Sequence, residues 1–181
     1  MFVVPGPAGR GAPSELAELL GPERAAAVAA LLLARAVAWG EGLAGAVSVL
    51  DGGLDDLARA VRERSGPVLI AWAGLPTWRD DNASGVLDDL ASGCDLSVGP
   101  VFDGGLYLLG LARPEPSLFD LPPETWEGPN ILGELLGLAA RAELSAGLLR
   151  PERGLRGAGD VQAALADPLT DPELAGLLRG A

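Results

Sequence analysis

The chain has 181 residues, 49% of them hydrophobic, and a formal net charge of −12 with no histidine. That length suits a single domain, residues 1–181, able to bury roughly 70% of its unfolded surface, and the composition excludes a disordered chain. No run approaches about 18 uninterrupted apolar residues, so no membrane span is expected, and so acidic a surface repels phosphate backbones and anionic lipid.

The predicted elements alternate. "FVVPGPAGRGAPSELAELLG" opens with a short strand, crosses a loop rich in Gly and Pro from Pro5 to Pro13, and enters a helix at Ser14, a good N-cap. "GPERAAAVAALLLARAVAWG" reads as a long helix with Pro22 in its first turn and a glycine beyond its end. "AGAVSVLDGG" reads as a strand closing on a turn, and "LDDLARAVRERSG" as an amphipathic helix with Leu54, Leu57, Ala58 and Val61 on one face. "PVLIAWAG" is a continuous apolar strand, "RDDNASGVLDDLASGC" a helix, and "DLSVGPVF" and "GLYLLGLA" are strands around an Asp-Gly-Gly turn. A helix over "PNILGELLGLAARAEL", a short strand at "SAGLLRP" and two helical segments complete the chain. Unbroken apolar runs alternating with helices predict a three-layer α/β/α sandwich with a mainly parallel sheet.

Residue types narrow the chemistry. All 13 basic residues are arginine. Without histidine or lysine, catalysis would rest on carboxylates, arginine, hydroxyls and backbone amides. The sole cysteine, Cys94, has no basic partner in the sequence and is expected to be a buried, inert thiol. The N-terminus lacks the basic start of a signal peptide, so a cytoplasmic location is expected.

Gly99-Pro100, Asp103-Gly104-Gly105 and Tyr107-Leu108-Leu109-Gly110-Leu111, followed by Pro114, Phe119 and Trp126, stand in an order and spacing that carry a resemblance. The pattern resembles the bacterial selenodomain-associated transferases, a domain of unknown function within the GT-A-type nucleotide-diphospho-sugar transferase superfamily. The resemblance implies a nucleotide-sugar or related small-molecule ligand at the carboxyl ends of the strands, where the sheet order changes. It also implies Mg²⁺ or Mn²⁺ held by an acid at the end of a central strand, stabilising a leaving diphosphate. Carried onto this chain, Asp103 is the candidate catalytic residue, beside Gly104 and Gly105. Gly9, Arg10 and Gly11 are the candidates for the donor phosphates, and Trp78 is a candidate stacking surface. Trp72 and Trp126 are further aromatic candidates, with core packing as the alternative.

The departures from the family pattern are specific. The two lysines of its first loop fall on Pro5 and Pro13, its threonine on Ser14 and its arginine on Glu15. Its Ser-Asp-Cys-Pro strand end falls on Ala73, Gly74, Leu75 and Pro76, and Gly157 and Gly159 stand for two acids near the C-terminus. No metal ligand is therefore assigned, since Mg²⁺ normally needs one or two protein carboxylates. Asp51, Asp80 and Asp81 could substitute, but a turn for the first and a helix N-terminus for the others account for them fully and are the preferred reading. The expectation is a divergent homologue with a degenerate catalytic centre, binding a small molecule or a protein, a second copy of the chain in a homodimer being one such partner. The alternative is an active sugar or nucleotidyl transferase in which Asp103 orients or deprotonates an acceptor hydroxyl.

Overall fold

A computed structural model describes residues 1–5, 14–50 and 52–179. Strand β1 (Phe2–Val4) precedes helices α1 (Ser14–Leu20) and α2 (Pro22–Ala44), then β2 (Ser48–Val49), α3 (Gly53–Arg62) and β3 (Val68–Trp72). Helix α4 (Asp80–Ala91) leads to the hairpin of β4 (Leu96–Pro100) and β5 (Leu106–Leu111). A 3₁₀ turn (Pro116–Phe119), α5 (Pro123–Glu127), α6 (Ile131–Arg141), β6 (Ala146–Leu148), α7 (Ala158–Ala166) and α8 (Pro172–Arg179) follow. The expected elements are present; the 3₁₀ turn and α5 were not predicted, because their prolines read as loop.

The six strands lie in the order β2-β1-β3-β5-β4-β6. Neighbours are parallel except on either side of β5, which runs antiparallel to both β3 and β4. The hairpin was legible, but β5 also inserts between β3 and β4, with Ile70 opposite Leu109 and Val98 opposite Leu109 on the other side. Every residue of β3, β4 and β5 is buried, which explains their unbroken apolar runs.

Three cores follow from this sheet. On one face Phe2, Val4, Ile70, Trp72 and Leu109 meet α3, the 3₁₀ turn, α5 and α6. On the other Val3, Ala71, Tyr107 and Leu108 meet α2 and α4. The third core packs α1, α2, α7 and α8 around Leu155. Helix α2 spans the second and third cores through the buried stripe Ala25, Val28, Leu32, Ala36 and Gly40, at helical spacing. By length and composition alone α2 could cross a membrane, its most apolar window having a mean hydropathy of 1.5. Arg35 interrupts it and pairs with Asp171 at 2.6 Å, at the start of α8.

Gly99 earns its place through Tyr107, its diagonal neighbour on β5. A Cβ at Gly99 would stand 2.6 Å from the phenol ring carbon Cζ. Gly99→Ala is expected to destabilise by about 1–3 kcal/mol through overpacking. Gly133→Ala, within α6 and facing open space, should be neutral or stabilising by up to about 1 kcal/mol. Paired urea melts measure both, and equal effects would contradict the close-approach argument.

Candidate functional site

The sheet order reverses between β1 and β3, so the crevice should open at their carboxyl ends. Gly9, Arg10 and Gly11, on the β1 side, lie outside the described residues, as does Asp51. On the β3 side the chain runs through Ala73, Gly74, Leu75 and Pro76. Here the segment following β6, residues 149–157, returns across the sheet end. Leu149 N–H donates to Val98 O at 2.9 Å, Glu152 N–H to Pro100 O at 3.0 Å, and Leu155 N–H to Gly74 O at 2.8 Å. Phe102 N–H donates back to Glu152 O at 3.0 Å. Tertiary folding thus brings Leu155, two positions before Gly157, against Gly74 at the end of β3.

Side chains of this strap form an ion-pair lattice. Arg79, just before α4, donates to both Glu152 carboxylate oxygens at 2.9 Å. Arg150 approaches Glu152 at 2.9 Å and Asp81 at 3.4 Å. Asn82, 4% exposed, accepts from Arg79 N–H through Oδ1 and donates through Nδ2 to Tyr107 Oη and Glu152, each at 3.4 Å. Tyr107 in turn donates to Arg150 O at 3.4 Å. Asp80 and Asp81 begin α4, where negative charge suits the helix N-terminus.

The Asp-Gly-Gly turn is held as tightly. Asp103 Oδ1 accepts from Gly105 N–H at 3.3 Å, an Asx-type turn, and Oδ2 pairs with Arg156 Nε at 2.9 Å. Gly104 has φ +91°, and a Cβ there would overlap the Pro129 carbonyl oxygen just before α6. Gly104 is therefore explained by geometry, while Asp103 remains 40% exposed at the tip. Sequence reasoning missed Arg156, Arg153, Arg150 and Glu152. Their signal was the spacing of three arginines by three residues in "RPERGLR" within an acidic chain.

The described residues do not fit the divalent metal implied by the resemblance. Gly74, Gly157 and Gly159 offer no side-chain ligand, and no described group of three His, Cys, Asp or Glu residues could hold a metal ion. Asp160 is engaged at the start of α7, accepting from Arg156 N–H at 3.1 Å, Gly157 N–H at 3.2 Å and Arg153 at 3.0 Å. Glu15 lies against the same helix end, with Oε2 2.8 Å from where a Gly157 Cβ would stand.

The tryptophans pack against other aromatic rings, Trp72 and Trp126 in the core and Trp39 and Trp78 half-buried. Trp78 stacks on Trp39 at 4.4 Å between ring centroids and meets Tyr107 edge-on at 6.1 Å. Trp72 and Phe119 sandwich Trp126, at 6.0 and 5.4 Å. The indole N–H groups of Trp78 and Trp126 are buried without a hydrogen-bond partner among the described residues. Cys94, expected to be buried, is only half-buried, because the turn joining α4 to β4 through Gly93 carries it to the surface.

A cavity of about 270 Å³ opens beside the strap, walled by Leu75–Thr77, the strap residues Glu152–Leu155, and α7 with the loop after it. It lies at the carboxyl end of β3, where the second and third cores meet.

No family model matches the chain, and no curated protein matches it. A crystal structure from Desulfovibrio desulfuricans G20, described as a candidate nucleotide-diphospho-sugar transferase, matches with a TM-score of 0.73 at 18% sequence identity. The alignment covers 99% of this chain and 92% of that one. The two share one α/β fold, built here on a mixed six-stranded sheet.

Two measurements probe the site's construction. Asp103→Asn should cost less than about 1 kcal/mol, because the ion pair is partly exposed. Gly104→Ala should cost more, since it combines a strained φ with a backbone collision; the reverse ranking in urea melts would refute this assignment. Burial, with Glu152 and Asp81 nearby, raises the Tyr107 phenol above its ordinary value, outweighing the Asn82 hydrogen bond. Its stabilising contribution is therefore complete below the unfolded value of about 10 and lost as pH rises through the folded value. Tyr107 is the only tyrosine, so absorbance titration should find phenolate forming above pH 10, together with unfolding.

Proposed function

We propose that this chain is a divergent relative of the nucleotide-diphospho-sugar transferases that binds a small polar molecule beside β3 and does not carry out metal-assisted transfer. The observation that carries this reading is the Leu155 N–H to Gly74 O bond, which closes the strand end with backbone where the family pattern has a carboxylate. Asp103 supports it further, being tied to Arg156 and to its own turn. Mg²⁺ is ordinarily held by protein carboxylates together with substrate phosphates, and Glu152 and Asp160, near this strand end, are each bound to an arginine. The net charge of −12 makes nucleic acid and anionic membranes unsuitable partners.

One feature favours a working transferase instead. Asp103 stands 40% exposed beside a guanidinium that could exchange the carboxylate for a phosphate.

The test is thermal stability against UDP, GDP, CDP and ADP sugars and nucleoside triphosphates, with Mn²⁺, with Mg²⁺ and with EDTA. A ligand at about 100 times its Kd adds about 2.7 kcal/mol, a shift of several degrees. The expected result is that any shift is the same with metal and with EDTA. A metal-dependent shift for one nucleotide, with turnover abolished in Asp103→Ala, would establish the transferase reading.

A further inference from the structure

The cavity beside the strap is large enough for a compact metabolite, and its chemistry is selective. Its apolar surface comes from Leu75, Leu155, Ala163, Ala164 and Leu169. Among the described residues its charged lining comprises Arg79 and Arg153 against Glu152, Asp160 and Asp167, two positive charges against three negative. Neither guanidinium is available for a phosphate. Arg79 is held by both oxygens of Glu152 at 2.9 Å. Arg153 pairs with Asp160 at 3.0 Å and lies over the Phe102 ring at 5.6 Å.

Asp167 differs from the other two carboxylates. Its Oδ1 accepts only from Leu169 N–H at 2.9 Å, and no described arginine pairs with it. It also follows the C-terminal end of α7, where the last carbonyls already concentrate negative potential and favour a cation. A bare metal ion is a poor match, because no described cluster supplies three ligands and much of the wall is apolar. An organic cation satisfies both parts, its ammonium at Asp167 and its hydrocarbon body against the leucines.

We infer that this cavity binds a small organic amine, with Asp167 and the carboxyl end of α7 receiving the ammonium group. The inference narrows the small-molecule reading above and rests on it.

The experiment compares three probes that share a ring and chain and differ in charge: tyramine, tyrosol and 4-hydroxyphenylacetate, titrated by calorimetry at fixed ionic strength. Tyramine should bind about tenfold or more tighter than tyrosol, equivalent to about 1.4 kcal/mol, and the acid should bind weakest. Asp167→Asn keeps a side-chain oxygen to accept from Leu169 N–H and should bring tyramine to the level of tyrosol. Ala163→Phe, filling the cavity from α7, should abolish binding of both. Tyramine binding that survives Ala163→Phe would assign it to the acidic surface and overturn the inference. Equal or tighter binding of the acid, or an unchanged preference in Asp167→Asn, would also overturn it while leaving a small-molecule site in place. If none of the three binds but a nucleotide sugar raises the melting temperature, the amine assignment fails alone; if nothing binds, the small-molecule reading fails with it.

Discussion

The architecture of this protein's site depends on how the carboxyl ends of β3 and β4 are satisfied. A sheet buried on both faces has to find partners for the backbone groups at its ends, because an unpaired buried carbonyl is costly. Residues 149–157 meet that need, crossing from β4 to β3 through hydrogen bonds to Val98, Pro100 and Gly74. Once that segment is in place, its side chains have few positions left to occupy. Arg150, Glu152, Arg153 and Arg156 all follow from where the strap runs.

The consequences reach both sides of the strap. Toward the hairpin, Arg156 holds Asp103 and Arg153 covers Phe102. Toward α4, Glu152 gathers Arg79 and Arg150 above the buried Asn82–Tyr107 contact. Beneath it, Leu155 enters the third core, which ties α7 and α8 to α2. Glu152, with only 14% of its side chain exposed, is acceptable because two guanidiniums and an amide surround it. The cavity is the space left between the strap, Leu75 and α7.

Sharing a fold with a candidate nucleotide-diphospho-sugar transferase constrains where a ligand sits more than what the ligand is. The topology opens a crevice at the carboxyl ends of the strands in any protein of this plan. What fills that crevice depends on single side chains at the strand ends. Here they are alanine and glycine just after β3 and an arginine-bound aspartate at the hairpin.

The sequence by itself determined the central strands and the longer helices, because burial on both faces leaves a visible mark. The runs at Val68–Trp72, Leu96–Pro100 and Leu106–Leu111 could hardly be anything but central strands, and the Asp-Gly-Gly turn required a hairpin. Pro22 marked the first turn of α2, whereas the glycine expected beyond its end, Gly40, is buried within the helix, which runs to Ala44 and a left-handed cap at Gly45. Also legible were the glycines standing where carboxylates would be needed, since a missing side chain is missing in any fold. The tertiary structure alone decided that β5 lies between β3 and β4, that Trp78 packs against Trp39, and that Arg156 reaches Asp103 across 53 positions of sequence. Strand insertion and long-range ion pairs leave no local pattern, because they are settled by which backbone groups and charges the folded chain brings within reach of one another.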